Sequence, residues 1–154
     1  RAEGVQAPVV SSAGALLKAL DHLGARRIAM VTPYMKPLTK LVADYIESAG
    51  VEVHDALSLE VPDNRAVAQL DPADLLEHHR KLDLRDCDAL VLSACVQMPS
   101  LPAIEPVERE VGLPTLSAAT ATAWAILDAL GLEPTAPGAG RLLAGASKVA
   151  GPAS

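Results

Sequence analysis

Short apolar runs alternate with helix-period segments along this chain, and glycine stands at the joints. Arg27 to Thr32 (RIAMVT) and Asp88 to Ser93 (DALVLS) read as strands buried on both faces. Val51 to Leu59 and Pro114 to Leu116 complete a set of four, at about 27–32, 51–59, 88–93 and 114–116. Helices are expected between them. Ser11-Ser12 offers an N-cap, and Leu16, Leu17, Leu20 and Leu23 follow at helical spacing from Ala13 to Leu23. A second helix spans Lys36 to Ala49, with Pro37 near its start and Gly50 just past its end. Asp71-Pro72 opens another through about Leu82, and Leu101 to Val111 is ended by Gly112. Ser117 caps a last long helix to Leu130, closed by Gly131. Alternation of this kind specifies an α/β fold of three layers, α-β-α, about a four-stranded parallel sheet.

The chain has 154 residues and half of them are hydrophobic, enough for one domain with a real core. Its 13 basic and 19 acidic residues give a net charge of −6, which argues against a nucleic-acid partner. Trp124, Tyr34 and Tyr45 are its aromatic residues, too few for base-stacking platforms. No apolar run approaches the roughly 20 residues of a membrane helix, so no membrane partner is expected. The first ten residues lack the apolar segment of a secretory leader. Two cysteines suit a reducing, cytoplasmic setting. A strand between Cys87 and Cys95 would hold them roughly 26 Å apart at about 3.3 Å per residue. A disulfide needs Cα atoms within about 7 Å, so both are expected as thiols.

Ligands of open α/β sheets sit beyond the carboxyl ends of the strands. Thr32-Pro33-Tyr34 follows the first strand, Pro62-Asp63-Asn64-Arg65 the second, and Ala94-Cys95-Val96-Gln97 the third. A phenol, a carboxamide and a thiol therefore converge on one edge. Cys95 precedes a helix start whose free N–H groups can hold an anion or favour a thiolate. A buried, unreactive cysteine fits the same position. Tyr34 suits donation to a carboxylate or the tethering of a loop. Asn64 suits a carboxylate contact or a turn. Arg65 and Lys36 read as surface cations, and Cys87 as structural.

His78-His79 are adjacent, whereas a zinc pair prefers i, i+4 spacing, so no metal site is expected. Gly138-Ala139-Gly140 lies in a Pro-rich tail, not between a strand and a helix. No phosphate-binding loop or G-x-S-x-G elbow occurs.

Val31-Thr32-Pro33-Tyr34, Asn64 and Leu92-Ser93-Ala94-Cys95 resemble the aspartate/glutamate racemase superfamily. The string Ser93-Ala94-Cys95-Val96-Gln97-Met98-Pro99-Ser100-Leu101 is most similar to bacterial maleate cis–trans isomerases, and Ala118-Ala119-Thr120-Ala121-Thr122 agrees. The likeness runs from about Ser11 to Gly145. It implies one lobe of a two-lobe racemase-like fold, sheet order 2-1-3-4, with the active site between lobes and no cofactor. It also implies cis–trans isomerisation of the small dicarboxylate maleate to fumarate. Cys95 then matches the second-lobe cysteine as acid/base, with nucleophile as the fallback. Tyr34 and Asn64 match carboxylate-gripping side chains, and the Val96 N–H matches part of an oxyanion cradle.

The resemblance divides the chain into 1–12, the remnant of a connection from a missing first lobe, 13–132, the lobe, and 133–154, a Pro/Gly/Ala-rich tail. Arg1 to Gln6 read as the end of a helix. The missing N-terminal lobe would supply the second cysteine and a further carboxylate-binding Asn. These residues alone are therefore expected to be inactive, and the full-length form to be a homodimer. Rival readings are an amino-acid racemase or an arylmalonate decarboxylase. These favour Cys-Thr and Cys-Gly where this chain has Cys95-Val96. A reading of another class is a non-catalytic flavodoxin-like binding module.

Overall fold

A computed structural model describes residues 7–145. Its parallel sheet has the order β2-β1-β3-β4, with β1 at Arg27–Thr32, β2 at Glu52–Ser58, β3 at Ala89–Ser93 and β4 at Thr115–Ser117. The two central strands, β1 and β3, are almost wholly buried. Side chains alternate across a strand, so one strand feeds two cores. Ile28, Met30, Ala89 and Val91 face one side, whereas Ala29, Val31, Leu90 and Leu92 face the other.

The first core is closed by α1 (Ser12–His22), α2 (Lys36–Ser48) and α6 (Ala118–Ala129). Leu16 and Leu20 of α1 meet Trp124 and Ala125 of α6 in this cluster, and the His22 ring lies 4.9 Å from the Trp124 ring, centroid to centroid. The second core is closed by α3 (Asn64–Val67), α4 (Leu75–His78) and α5 (Leu101–Val111). Asp88 precedes β3 and accepts from the N–H groups of Arg26 and Arg27, both at 2.8 Å, so it pins the start of β1 to the start of β3. Ser11 caps α1 and Ser117 caps α6, as the sequence indicates.

One expected helix needs correction, and two further segments are clarified. The helix expected from Asp71 to Leu82 is broken into 3₁₀ turns at Pro72–Asp74 and His79–Lys81 around the single α-turn of α4. Asp71 does cap it, accepting from the Ala73 N–H at 2.9 Å. The apolar stripe does not continue, because the next inward position is His79, whose Nδ1 bonds the Leu75 carbonyl at 3.1 Å. Asn64 begins α3 and is not a turn residue, and Asp63 is its N-cap, accepting from the Arg65 N–H at 2.9 Å.

Tertiary contacts also hold the first part of the tail. Residues 133–145 are packed, with a bridge between Thr135 and Ala144 and a 3₁₀ turn at Arg141–Leu143. Ala139, Leu142 and Leu143 are buried in the first core. Gly140 makes this possible. Its φ is +74°, and a Cβ there would meet Ile104, Glu108 and the Thr115 carbonyl at 2.9–3.0 Å. Glu108 then stitches α5 to this segment. Its carboxylate accepts from the Thr115 N–H at 2.9 Å and the Arg141 N–H at 3.1 Å. The helix end expected at Arg1 to Gln6 lies outside the described residues, as do residues 146–154.

Two substitutions test this packing by urea unfolding. Glu108→Ala strips two N–H groups of their acceptor, an expected loss of about 3 kcal/mol. Leu143→Ala opens a cavity in the first core, an expected loss of about 2–5 kcal/mol. A change within about 0.5 kcal/mol at Leu143 would mean that the segment is not part of the core.

Candidate active site

All four strands end at one edge, and each ends on a hydroxyl: Thr32, Ser58, Ser93 and Ser117. These groups are tied to neighbours. Thr32 and Thr39 share a hydrogen bond of 2.7 Å, and the Ser58 hydroxyl donates to Thr39 at 2.7 Å, which roots α2 on β1 and β2. Ser117 accepts from the Thr120 N–H at 3.2 Å, and the Ser117 N–H donates to the Thr120 hydroxyl at 2.8 Å. This reciprocal cap fixes the start of α6.

The loops beyond these hydroxyls hold the candidate residues. The segment after β2 is zipped to the segment after β1. Leu59 N–H donates to the Thr32 carbonyl at 2.9 Å, Val61 N–H to Pro33 at 2.9 Å, and Glu60 N–H to Tyr34 at 3.2 Å. Tyr34 thus has a fixed backbone. Beside it, the Ala94 N–H donates to the Val31 carbonyl at 2.9 Å, so the loop after β3 leaves the sheet against the loop after β1.

This pairing brings the phenol and the thiol together. Tyr34 is half-buried against the apolar cluster that contains the buried Cys95. Burial first, and the sulfur second, push the Tyr34 hydroxyl above the ordinary phenol range. Tyr34 therefore keeps its proton at neutral pH and acts as a donor. Cys87, at the opposite end of β3, is also a free thiol, and burial pushes its pKa up. It takes no part in this edge.

Val96 is 48% exposed and stands between two small clefts. One, of about 280 Å³, is lined by Tyr34, Leu41, Tyr45, Ala94 and Val96. The other, of about 320 Å³, is lined by Val96, Met98, Ser100, Ser117 and Thr120. The structure brings together Tyr34, Cys95 and Val96 but leaves Asn64 apart. Cys95 is buried and lines neither cleft, lying between Ala94 and Val96, which do, whereas Asn64 is exposed at the start of α3 and also lines neither. Lys36 pairs with Glu60 at 3.7 Å at the exposed rim. Sequence reasoning missed Ser93, whose hydroxyl bonds the backbone of Cys95. A serine two residues before the thiol was the available signal.

The family model for arylmalonate decarboxylase matches residues 2–143. A maleate isomerase of Geobacillus stearothermophilus is 55% identical over 142 residues, covering 92% of this chain and 57% of the relative. A solved Nocardia farcinica maleate cis-trans isomerase, a cysteine-to-serine variant with a covalently bound succinylcysteine intermediate, aligns with a TM-score of 0.88. That match is 52% identical and covers 91% of this chain and 57% of that one. An arylmalonate decarboxylase of Bordetella bronchiseptica is 31% identical over 147 residues, 91% of this chain and 59% of the relative. The chain spans about half the length of the curated relatives it matches. It belongs to the arylmalonate decarboxylase family, and within that family its sequence sides with the maleate isomerases.

Proposed function

We propose that this chain is the second lobe of a cofactor-independent maleate cis–trans isomerase. The observation that carries the reading is the placing of Cys95 and Tyr34 side by side on paired strand-end loops of a chain so similar to maleate isomerases. In this reading a first lobe completes the site, the full-length protein is a cytoplasmic homodimer, and residues 1–154 alone do not turn over.

The chemistry explains the residue types. Maleate holds two carboxylates on one side of a C=C bond, and rotation requires that bond to become single. A thiolate from the first lobe adds to one alkene carbon. The π pair moves to the adjacent carbon and is shared with its carboxylate. Cys95 gives that carbon a proton, leaving a succinyl thioether, and the new single bond rotates. The Cys95 thiolate then takes the proton back, the C=C bond re-forms trans, and the C–S bond breaks. Charge gathers on a carboxylate during both half-reactions. In this reading the Tyr34 hydroxyl and the Val96 N–H are its donors at this edge, and the Asn64 amide, which stands apart from them here, joins them when substrate binds.

The test is maleate conversion followed by NMR in the full-length protein. Cys95→Ser is expected to lower kcat by about 10²–10⁴-fold, the range of a lost general acid–base. Tyr34→Phe is expected to lower it by about 10²–10³-fold, as for a lost oxyanion donor. Fumarate at the parental rate from Cys95→Ser would remove Cys95 from the chemistry. A well-folded parent that decarboxylates an arylmalonate and leaves maleate untouched would overturn the isomerase reading.

The state of Tyr34 is read separately, by tyrosinate absorbance. Its ionisation is expected well above the ordinary pKa of about 10. That late step should be missing in Tyr34→Phe. A Tyr34 that ionises at or below the ordinary value would contradict its role as a proton-holding donor.

A further inference from the structure

We propose that Ser93 is a positioning residue for Cys95: its one hydroxyl clamps both polar groups of the Cys95 backbone, so that the Val96 N–H and not the Cys95 N–H is open to a ligand. The inference rests on the reading of Cys95 as the acid/base. Ser93 is completely buried. Its hydroxyl donates to the Cys95 carbonyl at 2.8 Å and accepts from the Cys95 N–H at 3.3 Å. A buried hydroxyl needs partners, and this one finds them two residues along its own chain.

The place of the clamp in the sheet explains its need. The pairing of β3 with β4 slips between Val91 and Ser93, and the ladder with β1 ends when Ala94 donates to Val31. Cys95 is the first residue past the ladder, and it is still buried. No strand remains to satisfy its N–H and carbonyl, and Ser93 does so instead. The backbone of Cys95 is thereby fixed with its side chain in the apolar cluster against which Tyr34 packs.

A second consequence concerns the next amide. With the Cys95 N–H already engaged, it does not compete for a ligand. Among the described residues the Val96 N–H has no hydrogen-bond acceptor, and Val96 borders both clefts. Ser93 therefore withdraws the Cys95 amide from the loop N–H groups open to a ligand, and the Val96 N–H is among those that remain. An alanine would leave two buried backbone groups unpaired, and the loop would have to turn toward water to satisfy them.

The test uses the full-length protein and three readouts: kcat and KM for maleate, the rate of iodoacetamide alkylation at one fixed pH, and amide exchange. Alkylation is followed by mass on the Cys95 peptide, with the Cys87 peptide as internal control. Ser93→Ala is expected to lower kcat by about 10–100-fold with little change in KM, the effect of a misplaced catalytic group. Alkylation of the buried Cys95 should speed up several-fold as the released loop opens, and that of Cys87 should not. Ser93→Thr, which keeps the hydroxyl, should restore both. A purely structural role would lower Tm and leave the kcat of folded protein and the Cys95 alkylation rate unchanged, and that result overturns the proposal.

Should Ser93→Ala fail to fold, amide exchange in the parent decides. The Cys95 N–H should be protected on the order of 10³-fold over that of Val96, and equally fast exchange of the two overturns the clamp. Failure of the underlying reading looks different. Full activity of Cys95→Ser removes Cys95 from catalysis, while the alkylation and exchange results still report whether Ser93 holds it.

Discussion

The hydrogen bond from the Ala94 N–H to the Val31 carbonyl carries the β1–β3 ladder one step beyond the strands. Parallel pairing makes both chains leave the sheet at the same edge, and this bond makes them leave side by side. Tyr34 and Cys95 are remote in sequence, yet they become neighbours there. The two cores supply the rigidity behind the contact. Because Ile28 and Met30 feed one core and Ala29 and Val31 the other, β1 cannot shift by one residue without exchanging every side chain between faces. The register that places the thiol and phenol is therefore the register that the hydrophobic pattern enforces.

Strand ends in such a sheet carry an electrostatic cost, since the ladder stops while the chain is still buried. The hydroxyls at Thr32, Ser58, Ser93 and Ser117 meet that cost in different ways. Thr32 and Ser58 bond across to Thr39 on α2, Ser117 caps α6, and Ser93 turns back on Cys95. Small hydroxyl side chains suit the task because they donate and accept in little volume. One outcome is that the polar floor of the site is rigid before any ligand arrives. That rigidity is what preorganised donors need in order to act on a developing charge.

The elements that were legible in the sequence are those where local and global signals agree. Arg27–Thr32 and Leu101–Val111 have the expected bounds, because a buried apolar run and a Gly-terminated amphipathic helix each have one reading. The positions of Tyr34 and Cys95 just past strand ends were legible because the buried apolar runs before them have clear ends. The misses have tertiary causes. Segment 71–82 has good capping chemistry but no continuous stripe, so packing broke it into short turns. Residues 133–145 looked like a loose tail by composition. They are held by Leu142, Leu143 and the carboxylate of Glu108, a partner distant in sequence. Ser93 escaped notice because a serine at a strand end has no period or motif of its own. Its role shows only in where its two hydrogen bonds go.

The arrangement also explains why a single thiol at this edge does not suffice for the proposed reaction. Addition across the alkene places sulfur on one carbon and a proton on its neighbour. A sulfur that has just bonded to carbon has no proton to give, so the second event needs a second group. Cys95 is suited to the proton and less to the addition. It is buried, it shares an apolar cluster with a phenol that holds its own proton, and its backbone is locked by Ser93. A nucleophile must follow its carbon through rotation, whereas a proton donor must stay still while the substrate turns past it. The edge described here has the rigidity of the stationary partner, and the open side of the Val96 clefts is where the moving partner would approach.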